Sequence, residues 1–237
     1  MKIAVVGAGA LGCLLAGLLK AKTKEDVWII DKSPERAKRI REVGIRVEGM
    51  SSASGAIDIS ANPKEAGSCD LVFICVKSYS TDDACKDIKD LISDKTFILT
   101  LQNGIGNVQV LNDHFGPERV IAGVTNHGAT LLGPGHVRHA GRGDTVIGMY
   151  SRKMLGPVRD AANLLARCGF ETKISKDIDS VIWSKLIINI GINALTAITR
   201  LKNGMLIKHD GTREIMRNSV QEAMRIVKRK RIKLVYD

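Results

Sequence analysis

The sequence predicts an α/β chain: a doubly wound parallel sheet up to about residue 176, followed by a partial all-helical segment over residues 177–237. Three observations lead there. An apolar strand opens directly into a glycine turn at the N-terminus, apolar runs then recur in an α/β rhythm, and from Asp177 onward the pattern turns helical.

The opening MKIAVVGAGALG puts a strand, Ile3 to Val6, ahead of GxGxxG and a small-residue helix, Ala10 to Leu19, behind it. That context identifies a Rossmann-type dinucleotide fingerprint. Gly7 permits the tight strand-to-helix turn, Gly9 lets the backbone approach a pyrophosphate, and Gly12 lets helix and sheet pack closely. Gly7, Ala8, Gly9, Ala10, Leu11 and Gly12 are therefore candidate cofactor contacts, with phosphates facing the helix N-terminus.

The second strand, Val27 to Ile30, ends in Asp31, nineteen residues after Gly12. A carboxylate there is placed to accept from an adenosine ribose hydroxyl, which favours NAD. Lys32 follows, with Arg36, Lys38 and Arg39 in the next helix, and cations here suit the 2′-phosphate of NADP. Both cofactors stay open. Ser33 and Pro34 read as an N-cap and first helical position.

Further strands are expected at Leu71 to Val76, Thr96 to Leu101 and Val120 to Val124, with helix-like stretches between them. Ligands in such sheets lie beyond the strand C-termini. The first run exits into Lys77, Ser78 and Tyr79, the second into Gln102, Asn103 and Gly104. Lys77 is a candidate for phosphate or carboxylate, Asn103 for a carboxamide contact. His127 to Gly148 reads as a β-meander closing the first domain. His136 and His139 have HxxH spacing, but in an extended segment the two rings point to opposite faces, so no metal site is assigned.

Composition narrows the classes. With 237 residues, 44% hydrophobic, the chain can bury a sizeable core, and with only 4% aromatic residues that core must be aliphatic. Five scattered cysteines read as reduced thiols rather than a disulfide framework. A strand starting at Lys2 leaves no room for a leader, and no apolar run is expected to approach the roughly 20 residues of a membrane span, so a cytoplasmic protein without membrane contact is expected. The net charge of +11 is spread along the chain except for Lys228 to Lys233. With no aromatic platform beside it, that run reads as a solvated helix end rather than a nucleic-acid site, and an anionic cofactor and substrate suit the general basic bias.

The stretch Ser180 to Thr199 is almost wholly apolar except for Lys185, Asn189 and Asn193, spaced i, i+4, i+8. They form one polar stripe along a helix expected to be buried. Such groups need partners, and a bound polar ligand supplies them. A last helix is expected over Thr212 to Lys230.

Taken together, GAGALG, LVFICVKSYSTDDA, LQNGIGN, HGATLLGPGHVRHAGRGDT and WSKLIINIGINALTAITRLKNG resemble the ketopantoate reductase (2-dehydropantoate 2-reductase) family over nearly the whole chain. The resemblance implies NADPH-linked reduction of 2-dehydropantoate, a small 2-oxo acid, to (R)-pantoate on the route to pantothenate and coenzyme A. It implies a catalytic lysine at Lys185, substrate-binding asparagines at Asn189, Asn193 and Asn203, and cofactor contacts at residues 7–12, Lys77, Asn103 and Ala129. It also implies further helices beyond residue 237, carrying a serine and a glutamate of the family's site. Ending before them would leave apolar faces open, which a homodimer could cover. A second reading, a noncatalytic NAD(P)-binding protein or redox sensor, stays open.

Overall fold

The computed structural model describes residues 1–150 and 155–235. It divides into two compact units, Met1–Gln102 with Gly106–Ile178, and Asn103–Ile105 with the chain from Asp179 onward. The last two residues of the IKLVYD tail lie outside the described residues.

The first unit is built on an eight-stranded sheet. Its strands are β1 (Lys2–Val6), β2 (Asp26–Ile30), β5 (Asp58–Ser60), β6 (Leu71–Ile74), β7 (Phe97–Thr100), β8 (Val120–Thr125), β11 (Thr145–Gly148) and β12 (Thr172–Ile174), in the spatial order β12-β11-β8-β7-β6-β1-β2-β5. From β5 across to β8 every pairing is parallel, with Val5 opposite Ile29 on one side and Phe73 on the other. Among the described residues, β11 alone in this sheet runs antiparallel to a neighbour, β8. The connecting helices are α1 (Ala10–Lys22), α2 (Pro34–Val43), α3 (Thr81–Asp87), α4 (Asn107–Phe115) and α5 (Leu155–Arg167). This is the expected doubly wound architecture, with order reversing at β1, where β2 lies on one side and β6 on the other.

A second, four-stranded sheet was not legible in the sequence. It comprises β3 (Ile45–Gly49), β4 (Ala53–Gly55), β9 (Gly128–Gly133) and β10 (His136–Gly141), ordered β4-β3-β10-β9. All four strands pack on α1. That explains a helix buried without interruption from Gly12 to Leu19: one side meets the main sheet, the other the small one. Gly17 permits the approach, since a Cβ there would stand 2.8 Å from a Val47 methyl. The expected meander is corrected accordingly. Strands β9 and β10 form an antiparallel hairpin, but β10 then pairs in parallel with β3, and β11 leaves to join β8. Strands of three to six residues, with polar positions facing water, carry too few apolar alternations to announce themselves.

The second unit contains α6 (Ile178–Thr199, from Asp179 onward), α7 (Asn203–Leu206) and α8 (Asp210–Arg229). Ile187 on α6 packs with Ala223 and Val227 on α8, and Trp183, Ile190 and Val220 gather around them. A Cβ on Gly191 would lie 3.1 Å from Val220, so the glycine allows the helices to approach closely. The Ser184 hydroxyl accepts from the Val235 N–H (2.7 Å) and donates to the Ser180 carbonyl (2.7 Å), tying the chain after α8 back to α6.

Two expectations about α6 need correction. By length and composition it is apolar enough to cross a bilayer, because isolated Asn and Ser residues interrupt a run without making the helix polar. It is also not a buried helix: Ile188 is 48% exposed and Ile198 80%. The cations Lys228 to Arg231 are exposed at the end of α8.

Candidate functional site

The glycine turn is held by its own backbone. Gly7, at φ +105°, lies so close to the β6 exit that a Cβ would stand 2.9 Å from the Val76 nitrogen, and a Cβ on Gly12 would collide with the Gly7 carbonyl. Gly9 is different. Nothing in the protein lies within 4 Å of where its Cβ would be, and its φ of −79° suits any residue. Fold geometry requires glycine at Gly7 and Gly12, whereas glycine at Gly9 leaves an open cradle at the head of α1. The first intrahelical bond runs from Cys13 N–H to Gly9 carbonyl (2.9 Å), no side chain caps the helix, and the preceding N–H groups of Ala10, Leu11 and Gly12 form the first turn. These donors, the helix dipole and the open space fit a pyrophosphate.

Asp31 is engaged by its own chain. It is 3% exposed, and its carboxylate accepts from the Ala8 N–H (2.8 Å), the Ser33 N–H (3.0 Å) and Nη1 of Arg36 (2.9 and 3.1 Å to its two oxygens). In the structure the acid is enclosed and braces the glycine turn against the start of α2. Ser33 caps α2 by accepting from Arg36 N–H, with Pro34 at the first helical position. At the surface of this β2 exit stand the cations Lys32, exposed, and Arg36, its side chain 45% exposed, with the exposed Glu35 between them.

At the neighbouring exits, Lys77 is exposed after β6 and Asn103 is exposed after β7. The loop between β6 and α3 is clamped by a residue to which sequence reasoning assigned no role. Gln102 Nε2 donates to the Val76 carbonyl (2.8 Å) and to Thr81 Oγ1 (3.0 Å), while its Oε1 accepts from Thr100 Oγ1 (2.9 Å). The side-chain amide next to Asn103 was the available signal. Ala129 is half-buried on β9, opposite His139.

The HxxH pair does diverge. His136 bonds Glu48 (2.8 Å), whereas His139, 1% exposed, bonds His127 (2.9 Å) and Ser51 (3.0 Å). His127 stacks on His139 and lies against Phe170. Burial pushes His127 down to about 4 and lowers His139 as well, so both rings are neutral at physiological pH. The cysteines are all free; burial raises their thiols to about 11 or 12.

On α6 the predicted stripe exists, on the side opposite the residues that meet α8. Lys185 and Asn189 are half-buried and Asn193 is exposed, as is Asn203 at the start of α7. Burial pushes the Lys185 ammonium below the ordinary lysine range. Among the candidate residues, Gly7 to Gly12, Asp31, Lys32, Lys77 and Ala129 lie in the first unit. Asn103, Lys185, Asn189, Asn193 and Asn203 lie in the second.

Known proteins share both halves of this arrangement. The family model for ketopantoate reductase PanE/ApbA matches residues 3–152, and the model for its C-terminal part matches residues 177–237. The 2-dehydropantoate 2-reductase of Halobacterium salinarum is 35% identical over 229 residues, covering 95% of this chain and 75% of that protein. That of Pyrococcus horikoshii is 38% identical over 234 residues, covering 98% and 75%. The crystal structure of a PanE/ApbA family ketopantoate reductase from Ralstonia eutropha superposes with a TM-score of 0.87 at 33% identity, over 99% of this chain and 76% of that one. A ternary structure of D-mandelate dehydrogenase with NADH and anilino(oxo)acetate gives 0.92 at 26% identity, over 99% and 76%. With family models spanning both the glycine-turn unit and the Lys185 helix, and with close relatives matched along nearly its whole length, the chain belongs to the ketopantoate reductase PanE/ApbA family.

Proposed function

We propose that this protein is an NADPH-dependent 2-dehydropantoate 2-reductase, reducing the 2-oxo group of 2-dehydropantoate to give (R)-pantoate for pantothenate and coenzyme A synthesis in the cytoplasm. The observation that carries the reading is the Lys185, Asn189, Asn193 stripe on α6, in a chain 38% identical over 234 residues to a protein named for that reaction.

The bound dinucleotide supplies a hydride. The first turn of α1 and the cradle over Gly9 hold its pyrophosphate, and Lys77, Asn103 and Ala129 are further contacts. Preference for NADPH rests on the β2 exit. With Asp31 enclosed by Ala8, Ser33 and Arg36, Lys32 and Arg36 offer charge to a 2′-phosphate, the group that distinguishes NADPH from NADH. Lys185 acts at the ketone oxygen, where negative charge grows as the carbonyl is reduced. Its ammonium stabilises that charge and then donates a proton, which its lowered pKa makes easier. Asn189, Asn193 and Asn203 orient the substrate's hydroxyl and carboxylate through side-chain amides that both donate and accept.

The test is NADPH oxidation on adding 2-dehydropantoate, with cofactor fluorescence followed in the same sample. Lys185→Ala is expected to lower kcat by about 10²–10⁴-fold while NADPH still binds; equal loss of both contradicts the role. Binding without turnover in the unaltered chain would favour the noncatalytic reading, and faster turnover of another branched 2-oxo acid would reassign the substrate.

A further inference from the structure

Tyr79 is 87% exposed, more than any other large apolar side chain among the described residues. Aromatic residues make up only 4% of this chain, and Phe73 and Phe170 are fully buried. An exposed ring on a loose loop would mean little, but this loop is fixed at both ends. Gln102 holds the Val76 carbonyl on one side and the Thr81 hydroxyl on the other, and Thr81 is 1% exposed. Between them the Ser80 N–H donates to the Lys77 carbonyl (2.8 Å), closing a single 3₁₀ turn over Ser78–Ser80. The ring therefore stands in solvent on a rigid base, which reduces the conformational entropy lost when a partner covers it.

Its position identifies the partner. Val76, where the loop begins, lies directly against Gly7, and β6 is the strand beside β1 on the side away from β2. The glycine turn thus has the Lys32–Arg36 segment on one flank and the Tyr79 turn on the other. The strand order reverses between β1 and β6, and a dinucleotide with its pyrophosphate at the head of α1 lies in the crevice beyond these strand ends, which the Tyr79 turn borders. A flat apolar ring offers a base a stacking surface without requiring any particular hydrogen-bond pattern. We infer that Tyr79 is the platform on which the adenine of the bound dinucleotide stacks. The inference rests on the proposed reading of the glycine turn as the cofactor site, and it adds a residue that recognises the adenosine half.

The experiment measures dissociation constants of the full chain for NADPH, for adenosine 2′,5′-bisphosphate and for reduced nicotinamide mononucleotide, in the unaltered protein, Tyr79→Ala and Tyr79→Phe. Tyr79→Ala is expected to weaken NADPH and the bisphosphate by the same factor, about tenfold, with the mononucleotide unaffected. Tyr79→Phe keeps the ring and should stay within about twofold of the unaltered protein for all three. An exposed side chain contributes little to folding, so both variants should melt with the parent. The platform is overturned if Tyr79→Ala binds the bisphosphate as tightly as the parent, or if the loss falls on the mononucleotide instead. An unaltered chain that binds neither NADPH nor the bisphosphate overturns the cofactor reading itself, and the platform with it.

Discussion

Asp31 illustrates how a single buried carboxylate can organise a glycine turn. Three donors converge on it: the Ala8 N–H in the glycine turn, the Ser33 N–H and the Arg36 guanidinium. Removing it leaves a buried N–H without an acceptor and Arg36 without its partner, and hydrogen bonds to charged groups are worth more than neutral ones. Asp31→Ala is therefore expected to cost about 2–3 kcal/mol in a urea titration, and to weaken NADPH binding because Ala8 and Arg36 are no longer held. A variant as stable as the parent would mean that the enclosure contributes no net energy. The spacing from Gly12 to Asp31 was legible as a motif. Which donors surround the acid was not, because Ala8 and Arg36 reach it only once β1, β2 and α2 are assembled.

At the scale of elements, α1 separates two demands that the GxGxxG pattern presents as one. Glycine at Gly12 is required by the fold, since a Cβ would meet the Gly7 carbonyl. Glycine at Gly9 is not, since a Cβ there would meet no protein atom. Gly12→Ala should lower stability by about 2 kcal/mol or more, as overpacking against backbone does. Gly9→Ala should melt with the parent yet bind NADPH at least about tenfold more weakly, as a methyl group enters the phosphate cradle. Thermal melts and fluorescence titrations of both variants separate these outcomes. Equal melting losses would mean that Gly9 also serves the fold. The same helix shows why the small sheet escaped detection. The uniformly apolar run CLLAGLL signals burial on all sides but does not say what covers the second side, and β3, β4, β9 and β10 supply that cover from segments far apart in sequence.

A pH-sensitive seam joins the two sheets of the first unit. His127 follows β8 of the main sheet, and it bonds His139 on β10 of the small sheet, which in turn bonds Ser51. Burial, with the nearby His139 and Arg142, lowers His127 from 6.5 to about 4, and His139 moves the same way through burial and the charges of Arg142 and Lys22. Between those values the unfolded chain binds protons that the folded chain does not, so this contribution is complete above about pH 6.5 and is lost as pH falls toward 4. Urea midpoints measured from pH 7.5 to 4.5 should fall by an amount equivalent to about 1–2 kcal/mol. In His127→Gln the decline should be shallower; identical slopes would place the sensitivity elsewhere. Residue spacing within single elements was enough to read the doubly wound class, the glycine turn, the strand exits and the Lys185 stripe. That Asp31 braces the turn, that a second sheet covers α1, and that Gln102 fixes the loop bearing Tyr79 became visible in the assembled fold. Those outcomes depend on pairings between distant segments, whose partners local periodicity does not specify.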